Sequence, residues 1–142
     1  LDGARTGIAA ELLGTGSEAF ERTIEYLKIR EQFGAPIGSF QGLKHRAADM
    51  FCELELARSA IYAALEALDA ERPNCAELAS LAKAKACDML ELISNEAVQM
   101  HGGIGMTDAH DSGLYMKRAR VQEALLGGAS FHRDRYAKLN GF

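Results

Sequence analysis

Arg30-Glu31-Gln32-Phe33-Gly34 and Gln99-Met100-His101-Gly102-Gly103-Ile104-Gly105 are the two stretches whose residue types and order could do chemistry. A guanidinium can grip a phosphate through two parallel hydrogen bonds, and glycines let backbone N–H groups approach one closely. Both stretches fall where an amphipathic helical pattern stops, and helix ends keep free backbone donors and acceptors. Together they predict a pyrophosphate-containing cofactor lying across helix ends. The plainer alternatives are a terminal arginine complementing a helix dipole and an ordinary glycine cap. A cap alone, however, does not call for further glycines at 103 and 105.

Those stretches need long helices to position them. Ile8, Leu12, Leu13, Phe20, Ile24 and Leu27 recur at three- and four-residue steps, which predicts a first helix from about Gly3 to Arg30. Gly14 and Gly16 fall inside it, where small residues permit a close helix–helix approach. Pro36 breaks the pattern, and Ser39 offers an N-cap for a second helix from about Phe40 to Ala70. Leu43, Ala47, Met50, Phe51, Leu54, Ile61, Leu65 and Leu68 make the stripe of that helix. Asn74 and Glu77 resemble a capping box opening a third helix, which ends at Gly102-Gly103. A shorter helix from about Ala109 to Arg120, a break at Gly127-Gly128 and a last helix to about Lys138 complete the chain. Strand alternation is absent. Long helices with short connections predict an all-α, up-down-up-down four-helix bundle.

The bulk numbers narrow the function classes. A chain of 142 residues is one domain with room for a core, and a net charge of −4 offers no footprint for nucleic acid or an anionic membrane. No apolar run reaches a membrane span. Cys52, Cys75 and Cys87 lack ligand spacing and read as reduced thiols in a cytoplasmic setting, or a mitochondrial matrix in a eukaryote. His45, His110 and His132 show no metal-ligand spacing and are expected at surfaces, while His101 reads as a packing or hydrogen-bonding residue. No metal site is expected. The opening residues already look helical, so a domain excised from a longer chain is expected.

Four pieces, in order, carry a resemblance to a known family. They are Leu1-Asp2-Gly3-Ala4-Arg5, the segment from Tyr26 to Gly34, Pro36-Ile37 with Phe40-Gln41, and the segment from Gln99 to Thr107. The chain resembles, over essentially its whole length, the C-terminal helical domain of acyl-CoA dehydrogenases. The resemblance implies FAD-dependent α,β-dehydrogenation of an acyl-CoA thioester, in a protein with an N-terminal helical and a middle β-domain. It implies an oligomer, homo- or heteromeric and usually a dimer of dimers, in which each bundle contributes to a neighbour's flavin site. By the same resemblance Arg30, Gln32, Phe33, Gln99, Gly102 and Gly103 contact FAD, and Asp2 and Arg5 lie at the substrate end.

The resemblance fails at the catalytic base. An ungapped reading from Ala119 puts Leu126 where the family carries its glutamate. The other known location, just before the arginine of the opening piece, is Ala4. Glu123 would serve only if the loop were three residues shorter. Three readings follow: a dehydrogenase whose base comes from elsewhere or from Glu123, a non-catalytic partner subunit of a heteromeric dehydrogenase, and a helical interaction module without flavin.

Overall fold

The computed structural model describes residues 1–142. It contains helices α1 (Asp2–Ile29), α2 (Gln41–Asp69), α3 (Cys75–His101), α4 (Ser112–Ala124) and α5 (Ala129–Leu139). A hairpin of two-residue strands, β1 (Glu31–Gln32) and β2 (Ala35–Pro36), joins α1 to a 3-10 turn at Ile37–Ser39, and a second 3-10 turn at Gly102–Met106 follows α3. The expected four-helix bundle is present, with its fourth member broken. Bonds from α4 and α5 fall on successive parts of α3, from Glu91 near its middle (Arg120) back to Ala76 at its start (Arg135). The two short helices therefore run in one direction, antiparallel to α3. No helix is long and apolar enough to cross a membrane.

Helix α3 is the axis of the bundle, because alanines on several of its faces let neighbours come close. Its buried residues include Ala82, Ala86, Met89, Leu90 and Ile93, which meet Leu12 of α1 and Met50, Leu54 and Ile61 of α2 in one core. Full burial of each large aliphatic side chain contributes about 1.5–3 kcal/mol. Gly16 is what lets α1 lie against α3: a Cβ there would stand 2.5 Å from the Met89 sulfur and 3.7 Å from Leu90 Cδ1. Gly14, expected to share that role, faces open space.

Helix starts differ from the sequence reading in instructive ways. The Ser39 hydroxyl donates to the Pro36 carbonyl at 2.7 Å, so it is committed to the 3-10 turn and does not cap α2. Asn74 makes no side-chain cap bond either. Its φ of −91° and ψ of 18° are not the extended geometry that aims an N-cap side chain at the next amides. The Cys75 thiol instead reaches the Ala67 carbonyl at 2.9 Å and ties the α2–α3 turn. Helix α4 starts at Ser112, three residues late, because residues 107–111 form turns. Cys87 is buried, Cys75 half-buried and Cys52 exposed, all as free thiols.

Candidate functional site

The C-terminal ends of α1 and α3 meet. Tyr26, one turn before Arg30, stacks on His101 with ring centroids 4.4 Å apart, and its hydroxyl lies 3.5 Å from the His101 carbonyl oxygen. His101 is 3% exposed; its Nδ1 donates to the Ala97 carbonyl at 2.7 Å, and its ring also stacks on His110 at 4.0 Å. The packing role expected of His101 is therefore what holds the two candidate stretches at one end of the bundle. Tyr26, which periodicity alone did not single out as a site residue, is the other half of that joint.

Six candidate residues stand on this end, all exposed: Arg30, Gln32, Phe33, Gln99, Gly102 and Gly103. Arg30 makes no ion pair, although twelve other contacts pair charged side chains across the molecule. Phe33 and Gly34 are the two central residues of the hairpin, with φ of 56° and 78°. Two successive left-handed residues make the tight turn that suits twisted strands, and the first is usually Asn, Asp or Gly. A phenylalanine there costs about 1 kcal/mol or more, and its ring is nevertheless 93% exposed.

The glycines of the second stretch divide by cause. Gly102 has φ 63° and ψ −138°, a conformation open to glycine alone, and it stops α3. Gly105 lies against the last turn of α3, where a Cβ would come 2.7 Å from the Val98 carbonyl oxygen. Gly103 has an ordinary φ and nothing within 4 Å of a built Cβ, so nothing in this chain requires it to be glycine. A shallow hollow of about 200 Å³ over Val98, Gln99, Gly102, Gly103 and Met106 marks the place. It shares Val98 and Met106 with a larger one of about 360 Å³, lined further along by Asp108, His110, Leu114 and Lys117.

A second cluster forms at the opposite end of α1. Asp2 pairs with Arg5 and with Arg135 of α5, both at 2.9 Å, and these two guanidinium groups hold its carboxyl below the usual range against the opposing effect of burial. Arg5 lies over the Phe131 ring at 5.8 Å, and its Nε is buried with no acceptor. The Phe131 ring in turn fills the space against Gly127. The structure thus gathers Asp2 and Arg5 with the break between α4 and α5. Ala4 is exposed on the same turn of α1.

The break is a tight turn with a leucine in a strained place. Leu125 has φ −65° and ψ 123°, Leu126 has φ 59°, and the Gly127 amide lies 3.5 Å from the Ala124 carbonyl. This is a type II turn with Leu126 at the position that favours glycine. Two buried side chains clamp it. His132 Nε2 donates to the Leu126 carbonyl at 3.1 Å. Lys83 Nζ reaches the Gly127, Glu123 and Gln122 carbonyls at 2.9, 3.1 and 3.3 Å and the Cys87 sulfur at 3.2 Å. Lys83 and His132 are both fully buried, so the surface position expected for His132 is wrong. His110 is half-buried, with Nδ1 accepting from Ser112, and His45 is exposed. Glu123 sits beside Gly128 with Oε2 3.6 Å from Arg120.

Burial pushes the His101 and His132 imidazoles below their ordinary value of 6.5, aided by the neighbouring His110 for the first and by Lys83, Arg5 and Arg135 for the second. Both rings are held neutral in the fold and protonate more readily when unfolded. Stability is therefore full above about pH 6.5 and falls as pH drops from there toward the depressed native values, with a slope of up to about 1.4 kcal/mol per pH unit for each ring. Denaturation midpoints measured between pH 8 and pH 5 should show that loss, and a His132→Gln variant should show less of it.

Comparison with known proteins bears on the family and the fold. Residues 1–139 match the family model described as acyl-CoA dehydrogenase, C-terminal domain. Acyl-CoA dehydrogenase IpdE2 of Mycolicibacterium smegmatis is 42% identical over 126 residues, 89% of this chain and 39% of that protein. The mitochondrial short/branched chain specific acyl-CoA dehydrogenase of Bos taurus is 37% identical over 138 residues, 97% of this chain and 32% of its own length. The solved structure of butyryl-CoA dehydrogenase from Megasphaera elsdenii superposes with a TM-score of 0.93 at 31% identity, over 98% of this chain and 36% of that one. The chain spans about a third of the length of the relatives it matches. These relatives are named as dehydrogenases. By the extent of that match and the fold that accompanies it, this chain belongs to the acyl-CoA dehydrogenase family as a C-terminal domain.

Proposed function

We propose that this chain works as the C-terminal domain of an FAD-dependent dehydrogenase that converts an acyl-CoA thioester to its 2,3-enoyl form, alongside an N-terminal helical and a middle β-domain. The observation that carries the cofactor reading is the exposed set at the joined ends of α1 and α3. A free Arg30 and a Gly103 that the fold does not require are what a diphosphate resting on the chain would need. The residues fit the cofactor: Arg30 would hold the pyrophosphate, Gly102 and Gly103 would let it approach, and Gln32, Phe33 and Gln99 would flank the rest. When bound, the flavin supplies a hydride acceptor; the protein supplies placement and electrostatics.

The two clusters are far apart. Arg5 and Arg30 are separated by 25 residues of one continuous helix, which is about 37 Å at 1.5 Å per residue. The Arg30 set and the Arg5 set of one chain therefore serve different active sites. That separation supports an oligomer, homo- or heteromeric and arranged as a dimer of dimers, in which the Arg30 end completes the flavin site of a neighbouring subunit. A cytoplasmic or mitochondrial-matrix setting fits the free thiols.

The α-proton requires a base, and the positions at 126 and 4 are apolar. Glu123 would reach the base position only across a loop three residues shorter than the turn present at 125–127, so we assign the base to a carboxylate outside this chain. In full-length protein, Arg30→Gln should weaken flavin binding about 10- to 100-fold, the loss expected for one charge-assisted hydrogen bond. Gly103→Ala should weaken it too, without lowering the melting temperature. Flavin titration checks both, and undiminished affinity in the two variants would remove the cofactor reading.

A further inference from the structure

We propose that His101 and His110 form a proton-operated clasp on the candidate flavin site: with both imidazoles neutral it holds Gly102 and Gly103 in place beside the Arg30 end, and in acid it opens and flavin is released. This inference rests on the flavin reading and adds a regulation of that site.

The segment that carries the two glycines has few anchors. Residues 102–111 are turns and bends, all exposed except Gly105, which is buried, and His110, which is half-buried. Both of these rest on His101. A Cβ at Gly105 would stand 3.0 Å from the His101 Cβ, and the His110 ring stacks on the His101 ring at 4.0 Å. Ser112, buried at the start of α4, ties the pair together. Its hydroxyl donates to His110 Nδ1 at 2.6 Å and lies 3.4 Å from His101 Nδ1. On its other face His101 stacks on Tyr26 of α1. One imidazole therefore joins the glycine segment to both long helices.

That joint is built for neutral rings. His101 donates from Nδ1 to the Ala97 carbonyl, so its Nε2 is bare, and that atom is buried with no partner. A proton added there makes a charged N–H with no acceptor inside the fold. His110 accepts at Nδ1 from both the hydroxyl and the amide of Ser112, which it can do only while that nitrogen is bare. No carboxylate pairs with either ring. Around His101, α1 presents the Tyr26 ring, α4 the Ser112 hydroxyl, the turn His110, and α3 its own Ala97 carbonyl. Asp108, Asp111 and Lys117 line the hollow on the far side of His110, and Asp111 is taken by Arg22. Burial, with His110 beside it, accordingly keeps the His101 imidazole below its ordinary 6.5. An opened clasp exposes the ring to water, where it takes the proton more readily. Flavin affinity is then full above about pH 6.5 and declines below it, by at most about tenfold per pH unit for one proton.

Apo full-length protein titrated with FAD at pH 7.5 and pH 5.5, below its melting temperature in both buffers, reports the clasp. The wild type should bind about tenfold more weakly at pH 5.5. His101→Phe keeps a ring between Tyr26 and His110 but cannot take the proton, so its two affinities should agree within about twofold. His132→Gln removes a buried imidazole at the other end of the bundle and should keep the wild-type slope. Should His101→Phe fail to fold, calorimetry of the wild type at pH 6 in two buffers of different ionisation heat decides: protons released on FAD binding support the clasp, and none released overturns it. A wild type with equal affinity at both pH values, a His101→Phe slope equal to the wild type's, or a slope lost in His132→Gln overturns the inference and leaves the flavin reading standing. A wild type that binds no FAD at pH 7.5 overturns both.

Discussion

Replacing Leu126 by glutamate should raise the rate at which acyl-CoA reduces the flavin of the full-length protein, by about 10²-fold or more over the wild-type chain assayed alone. That is the scale of a positioned general base. The prediction depends on geometry more than on residue type. The turn at 125–128 is complete: its φ values, its Ala124–Gly127 contact and its clamps on the Leu126 and Gly127 carbonyls are in place. Glutamate at positive φ is no more strained than leucine, because both carry a Cβ. The cations of Arg5, Arg135 and Lys83 gather around this end of the bundle and favour an ionised carboxylate. Turnover and Michaelis constants measured together separate gained proton transfer from any change in substrate binding. Stopped-flow reduction of the flavin is the measurement. A folded, flavin-loaded Leu126→Glu protein that reduces no faster than wild type would remove residue 126 from the proton-transfer position.

The parts of this molecule legible in its sequence are those that local chemistry decides. Apolar residues at helical spacing located all the long helices, because burial against a bundle selects that period. Gly102 announced the end of α3, because only glycine takes the conformation found there. The hairpin at Glu31–Pro36 was not legible, since strands of two residues carry no alternation to read. Its strained Phe33-Gly34 turn reverses the usual preference at the first position. Lys83 was hidden for a different reason. Between Ala82 and Ala84 it reads as a solvated helix lysine, and its partners are carbonyls some 39 to 44 residues further on. His132 owes its burial to the same distant turn. The candidate cofactor residues were thus readable from helix ends, whereas the machinery holding the turn at 126 became visible only when the chain was folded.

That machinery makes Lys83 the side chain whose loss should cost most. Lys83→Met keeps the length and apolar stem of the residue and removes only the ammonium. The Gln122 and Glu123 carbonyls belong to the last turn of α4 and have no helical partners beyond it. The Gly127 carbonyl lies across the break. Each buried carbonyl left without a donor costs about 1–3 kcal/mol, and a cation at a helix C-terminus adds its interaction with the dipole. Some water will reach the turn, so a net loss of about 3 kcal/mol is expected, a large share of the roughly 5–15 kcal/mol that typically separates native from unfolded protein. Lys85, two residues on, is the control. It pairs with Glu53 at 2.8 Å with both side chains about a third exposed, and pairs of that kind are worth about 0–1 kcal/mol. Urea unfolding of Lys83→Met and Lys85→Met should therefore give very different midpoints at a similar slope, and limited proteolysis of Lys83→Met should cut first between residues 124 and 129. Equal midpoints for the two variants would mean that the ammonium inside the bundle holds nothing, and that the turn at 126 keeps its shape by other means.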